Sequence, residues 1–426
     1  MPDWDLHRLL LVVVVVFAPR VLADESVSSL ISRASAYEVD QQFELAAELY
    51  EAAISQTIDT RGESSIDLIE PLLGVGRSLI AQGYFDKAKE TLRHAQVVAH
   101  RNEGVYSLRQ LEVIDHMTDI ALKSDDVLEA NREQTFSFFV SEHYYGDTSL
   151  DLLPAYYKLA QWYLDTGRYY WVKKELDNAM NLIREQAGDL DPRLIEFLRF
   201  GAKSRWLYGS CCGEKLLAEA LEIVAGNPQL AQDVKSTVYL DLGDAHTLRG
   251  KTSKAAEYYS LGYLPPPGDR SRSQPTMIAM SDYLPGYSLL FQIPLSQRVS
   301  NIRISDGPIE LRHLRSEERS RIAIGSPIQF MHYQLEEVLP FRFRHLENFS
   351  GIAITSEFTV TSEGTLRDVQ FVETNAPLKL NQLMRRALAK TRYRPALANG
   401  ILVDTEHVRL IQTFDVDDHE TNETEN

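Results

Sequence analysis

The chain has 426 residues, 44% hydrophobic and 25% charged, enough to bury more than one core and unlike a disordered or fibrous composition. Its 61 acidic against 44 basic residues give a formal charge of -17, which repels a phosphate backbone and excludes nucleic acid as a partner. The two cysteines, Cys211 and Cys212, are adjacent and cannot staple so long a chain, which must be held by its core.

Leu9 to Ala18 is an unbroken apolar run, followed by Pro19, Arg20 and the small-residue pattern Val21-Leu22-Ala23. That layout predicts a signal peptide over residues 1–23, cleaved after Ala23. The run is about half of the ~20 residues a membrane-spanning helix requires, so the exported protein is expected to make no stable membrane insertion. An uncleaved anchor is the rival reading.

Residues 24–268 carry a helical repeat. The clearest unit has Leu72, Val75, Gly76 and Leu79 on one predicted helix, Gly83 at a turn, and Phe85, Ala88, Leu92 and Ala95 on the next. Small residues at Gly76 and Ala88 let two antiparallel helices approach closely. Steps of 42 residues from Ala88 reach Ala46, Ala130 and Val172, each inside a similar pattern. The Ala130 unit is the poorest, with Gln134 and Ser137 at positions where apolar or small residues belong. A last unit has Tyr239, Leu242, Gly243, Gly250, Ala255 and Tyr259, and Phe200 to Val224 reads as another hairpin. Turns are expected near Gln41, Gly83, Asp125, Gly167, Gly209 and Gly250.

These residues resemble the tetratricopeptide family, whose pattern is Leu-Gly, an aromatic, a turn glycine, then Ala and aromatic positions. The period exceeds the family's usual ~34 residues, which suggests that each helix is extended by about one turn. The resemblance implies an all-α solenoid of six hairpins, with a groove that binds peptides or partner proteins.

The Pro- and Ser-rich stretch after Leu264 marks a boundary, and 269–345 reads as linker and short strands of uncertain fold. Residues 346–416 then read as strand, strand, helix, strand. Ile354 to Thr361 and Leu366 to Val372 flank a turn at Gly364, Leu378 to Lys390 has helical spacing, and Val403 to Phe414 forms a long final strand after a turn at Asn399-Gly400. The polar, acidic 417–426 is expected to be disordered. Phe358-Thr-Val360, Gly364, Val369, Arg392-Tyr393-Arg394-Pro395-Ala396 and Asn399-Gly400 together resemble the C-terminal domain of TonB, an α+β fold. That resemblance implies a Gram-negative periplasmic protein that binds an envelope protein or extended peptide, with a link to TonB-type transport. The chain departs from TonB in having no long Pro-rich spacer and Thr391 where an aromatic is usual.

In this reading the final strand sits at a sheet edge and takes a peptide as an added strand. Arg392, Tyr393, Arg394, His407, Arg409 and Ile411 are the candidate partner-binding residues. Arg385, Arg386, Lys390, Arg392 and Arg394 form a basic cluster. It either lies in solvent, offsetting a helix dipole, or steers an acidic partner. No phosphate loop, nucleophile elbow or metal-ligand spacing is present, so no enzyme activity, cofactor or metal is expected. Two alternatives stand beside this: an exported enzyme or regulatory subunit with its site in 284–345, and a true TonB-type energy transducer with an uncleaved anchor.

Overall fold

The structure, a computed structural model, describes residues 26–124, 126–207, 213–262, 302–306, 327–329, 352–378, 381–382, 385, 388–389, 392–398 and 401–416. The expected signal peptide, Asp125, Gly209, both cysteines, the Pro-rich linker, most of 269–345, Arg386, Lys390, Asn399-Gly400 and the acidic tail lie outside the described residues.

The chain divides into two compact units, Met1–Tyr144 and Tyr145–Asn426. The first holds α1 (Val27–Val39), α2 (Phe43–Arg61), α3 (Ile69–Ala81), α4 (Phe85–Glu103), α5 (Gln110–Lys123) and α6 (Val127–Tyr145), which ends at the division. The second holds α7 (Leu153–Asp165), α8 (Tyr169–Ala187), α9 (Leu194–Leu207), α10 (Glu214–Gly226), α11 (Gln232–Leu248) and α12 (Thr252–Gly262), followed by the β-strands.

Helices pair as hairpins because the repeat places small residues where two helices cross. Ala46, Ala88, Ala130 and Val172 are all fully buried, and a Cβ on Gly76 would lie 2.7 Å from the Leu92 side chain on the facing helix. The longer period does not come from lengthening every helix. In the first four hairpins the first helix has 13 or 14 residues and the second has 19, so the extra length sits in the second helix.

Two families of turn recur. Gln41, Gly83, Gly167 and Gly250 take positive φ inside hairpins, at expected turns. Between hairpins a second series runs at the same period: Gly62, Gly104, Gly146 and Gly188, with φ of 88, 89, 87 and 91°. Three residues after each stands Ser65, Ser107, Ser149 or Asp191, whose backbone N–H donates to the glycine carbonyl. The side chains of these four residues accept from the N–H of Asp67, Arg109, Asp151 and Arg193, capping the next helix.

In the second unit, β1 (Ile302–Asp306), β3 (Ile352–Val360), β4 (Leu366–Thr374) and β8 (Thr405–Val416) form an antiparallel sheet in the order β1-β8-β3-β4. β2 (Pro327–Gln329) pairs with β5 (Arg392–Tyr393), and β6 (Ala396–Ala398) with β7 (Ile401–Val403). The expected single strand from Val403 to Phe414 is thus two strands: β7 closes a hairpin with β6, Asp404 breaks the run, and β8 begins at Thr405. Asp404 accepts from the Ser362 N–H at 2.7 Å, which fixes the break against the β3–β4 turn. The register of β3 slips by one residue near Asp368 on β4 and near His407 on β8, and both residues take φ of 57°. Asp and His are among the non-glycine residues that tolerate this region, and such bulges sharpen the local twist.

Candidate functional site

The C-terminal strands are fastened to the last helical hairpin through a buried polar cluster. Gly243 on α11 lets the Tyr259 ring of α12 lie directly on the helix backbone, where a Cβ would meet ring carbons at 2.4 Å. At the far end of the ring, the Tyr259 hydroxyl donates to Asp244 Oδ1 and lies within hydrogen-bond distance of Thr247 Oγ1, both at 2.9 Å. Into this cluster reaches Arg394, whose Nε and Nη2 donate to Asp244 Oδ1 and Oδ2 at 2.8 and 2.6 Å. Only 11% of the Arg394 side chain and 5% of the Asp244 side chain are exposed. Burial pushes the Asp244 carboxyl up while Arg394 pulls it back. Burial alone would lower the Arg394 guanidinium, but Asp244 beside it holds it above its ordinary value.

The neighbouring residues complete the joint. Tyr393 is buried against Phe358 of β3, with ring centroids 5.5 Å apart, and its N–H donates to the Gly364 carbonyl at 2.8 Å. Gly364 has φ of 75°, and a Cβ there would strike the Tyr393 carbonyl oxygen at 2.4 Å and the Thr247 methyl at 2.6 Å. Leu402 of β7 packs on Leu240, Ala255 and Tyr259. The Arg-Tyr-x-Pro-Ala segment and the β3–β4 turn therefore close on α11 and α12.

The candidate partner-binding residues are spread over this module. Tyr393 and Arg394 face inward, so Arg394 is neither a solvated cation nor a steering charge; its cost of desolvation is met by Asp244. Arg392 lies on β5 opposite Gln329 of β2. His407 is exposed at its bulge with Nδ1 2.9 Å from Glu357 Oε1. Arg409 and Ile411 stand on β8 in register with Glu357 and Thr355 of β3. The β8 strand is not an edge along its whole length: Gln412 to Val416 is flanked by β1 as well as β3. Arg385 stacks over Phe371 at 5.0 Å and reaches the Val369 carbonyl, so it too is engaged by the sheet. Asp244, Tyr259 and Thr247 carry no local sequence signal for this role, since their partner is 150 residues away for Asp244.

Each unit also holds charged side chains on the first helices of its hairpins. In the first, Arg77 on α3 donates from Nε to Glu38 on α1 at 2.7 Å and from Nη1 to Glu112 on α5 at 3.2 Å. Tyr50 donates to the same Glu38 at 2.9 Å, and burial with this bond pushes its phenol up to about 12. In the second, Arg199 on α9 donates to Asp241 on α11 at 2.5 Å. Lys203, one turn along α9, feels Asp241 and Asp165 of α7, yet burial pulls its ammonium down to about 7. Among the described residues no group of His, Cys, Asp and Glu could hold a metal ion, and no helix is long and apolar enough to cross a membrane.

No protein-family model and no curated protein matches the sequence. Among solved structures, the chain is similar to a point variant of the nearly identical TPR-like repeats of a candidate kinesin light chain from Podosopora anserina, at 16% identity and a TM-score of 0.37, over 48% of this chain and 97% of that one. It is similar to BtubC from P. vanneervenii at 14% identity and a TM-score of 0.38, over 59% and 98%. The apo form of RapI aligns at 12% identity and a TM-score of 0.31, over 55% and 81%. The paired helices themselves establish the fold: tetratricopeptide-like helical repeats followed by a small antiparallel sheet.

Proposed function

We propose that this chain is an exported, non-catalytic scaffold of the Gram-negative periplasm, which binds envelope proteins or extended peptides through its helical repeats and through a TonB-like C-terminal module. The observation that carries this reading is the joint at Arg394 and Asp244. A sheet module held on the last repeat by a buried, bidentate ion pair behaves as a rigid extension of the repeat surface, which is what a scaffold needs to present two binding elements in a set geometry. Among the described residues, β8 pairs only with β3 from Thr405 to Ile411, which leaves a short edge where a peptide strand would add beside His407, Arg409 and Ile411. The Arg-Tyr-x-Pro-Ala segment and the signal-peptide layout support the periplasmic assignment and a link to TonB-type transport.

The test is made in cells. N-terminal sequencing of the protein recovered from the periplasmic fraction should begin at Asp24, and photo-cross-linkers at Tyr157, half-buried on α7 against Phe197 and Phe200 of α9, and at Arg409 of β8 should capture envelope proteins. A chain retained with residues 1–23 in the inner membrane would favour the energy-transducer reading, and cross-linkers that capture nothing at either position would end the scaffold reading.

A further inference from the structure

β1 holds the weakest place in the C-terminal sheet. It is five residues long, stands at the end of the order β1-β8-β3-β4 and, among the described residues, pairs with β8 alone. It covers 412–416 of the twelve-residue β8 and leaves the rest of that strand beside only β3. Of the four strands it therefore has the shortest ladder to break.

Its register shows what the β8 edge accepts. The two strands run antiparallel, with Ile302 opposite Val416, Ile304 opposite Phe414 and Asp306 opposite Gln412. Phe414 and Gln412 stand in turn opposite Ile352 and Ile354 of β3, both buried. Residues directly opposite share a face of a sheet, so Ile302 and Ile304 occupy alternate positions on its buried face. The next positions of that face along β8 are Leu410, opposite the buried Ser356, and Val408, itself buried and opposite the buried Phe358. Beyond Val408 the bulge at His407 interrupts the ladder. A straight added strand can thus follow 408–416 of β8, and β1 takes the last five of those positions.

We propose that β1 is this chain's own occupant of the β8 edge, and that an extended segment of a partner protein, apolar at alternate positions, displaces it and pairs antiparallel with 408–416. This rests on the edge-strand part of the scaffold reading and gives it a register, a residue pattern and a built-in competitor. A strand on the same chain competes intramolecularly, at an effective concentration above that of a dilute free peptide. A partner segment no longer than β1 loses that competition. One that reaches Leu410 and Val408 adds backbone pairing and two further positions on the apolar face, so β1 sets a length threshold for the partner.

The test uses the full chain and fluorescein-labelled peptides. The long peptide, Ile-Arg-Ile-Ser-Asp-Thr-Ile-Thr-Ile, continues the β1 pattern to the position opposite Val408; the short one stops at Asp, and a twin of the long one carries serine for every isoleucine. The wild type should bind the long peptide about tenfold more tightly than the short one. Ile304→Pro, which cannot keep the β1 ladder, should bind the long peptide about tenfold more tightly than the wild type does, and the serine twin should bind neither protein. Should Ile304→Pro fail to fold, the double variant Ile302→Ser, Ile304→Ser weakens β1 without proline and should show the same gain. Equal affinity of the wild type and the β1 variants for the long peptide, no binding by folded variants, or equal binding of the serine twin would overturn the proposal. Envelope proteins cross-linked at Arg409 equally in the wild type and Ile304→Pro would keep the scaffold reading and remove β1 as a competitor; capture at neither Arg409 nor Tyr157 would remove the scaffold reading whatever the peptides do.

Discussion

Asp244 and Arg394 lie 150 residues apart and share two hydrogen bonds, of 2.8 and 2.6 Å, with almost no access to water. Both lie in one compact unit, Tyr145–Asn426, which holds the sheet and the last three helical hairpins.

Gly243 tests how the acidic half of this pair is held. Alanine in a helix normally gains roughly 0.5–1 kcal/mol over glycine. Here the added Cβ would lie 2.4 Å from the Tyr259 ring, whose hydroxyl holds Asp244. Overpacking of that kind costs about 1–3 kcal/mol and should win. Gly243→Ala is expected to lower the midpoint of urea unfolding; a midpoint equal to or above the wild type would mean the ring moves freely.

The between-hairpin glycines make a separable prediction. A Cβ on Gly104 meets nothing within 4 Å, so only the φ of 89° opposes substitution. Gly104→Ala should cost about 1–3 kcal/mol through backbone strain alone, since its ψ of 171° lies in a region only glycine adopts readily, and Ser107→Ala about 1 kcal/mol through the lost cap. Calorimetry of both variants checks the pair, and a stabilised Gly104→Ala protein would contradict the turn geometry.

The repeat was legible because its small residues recur on a fixed period: Ala46, Ala88, Ala130 and Val172 need no partner to be recognised. The second glycine series has the same period, but Gly62, Gly104, Gly146 and Gly188 each sit in polar loops, and a single glycine followed by Ser or Asp reads as ordinary turn chemistry. The hairpin lengths were not legible either, since a periodic apolar pattern does not say which of two helices absorbs the extra turn. At the C-terminus the strands and the Asn399-Gly400 turn were visible, but burial of Arg394 was not. A cation beside Arg392 and Lys390 reads as solvated until a carboxylate from another part of the chain is placed on it.

Lys203 predicts a pH dependence. Its folded value of about 7 lies below the ordinary lysine value of 10.5, so the unfolded chain binds more protons between these limits. Stability should therefore rise with pH from 7 toward 10.5, by on the order of 1 kcal/mol between pH 7 and 9, and level off below 7, where Lys203 is charged in both states. Lys203→Met should be more stable than the wild type at pH 7 and lose much of this slope. Urea unfolding at pH 7 and 9 measures it; an unchanged slope in the variant would place the titration elsewhere.

The central claim, that a buried ion pair helps to fix the sheet to the last repeat, is tested most directly by a double-mutant cycle with Asp244→Asn and Arg394→Gln. Removing either partner leaves an uncompensated group and should cost about 3–5 kcal/mol, whereas removing both should cost far less than the sum, giving a coupling of about 2–3 kcal/mol. Unfolding free energies that simply add, with two small single effects, would contradict the joint and with it the rigid presentation of the C-terminal module.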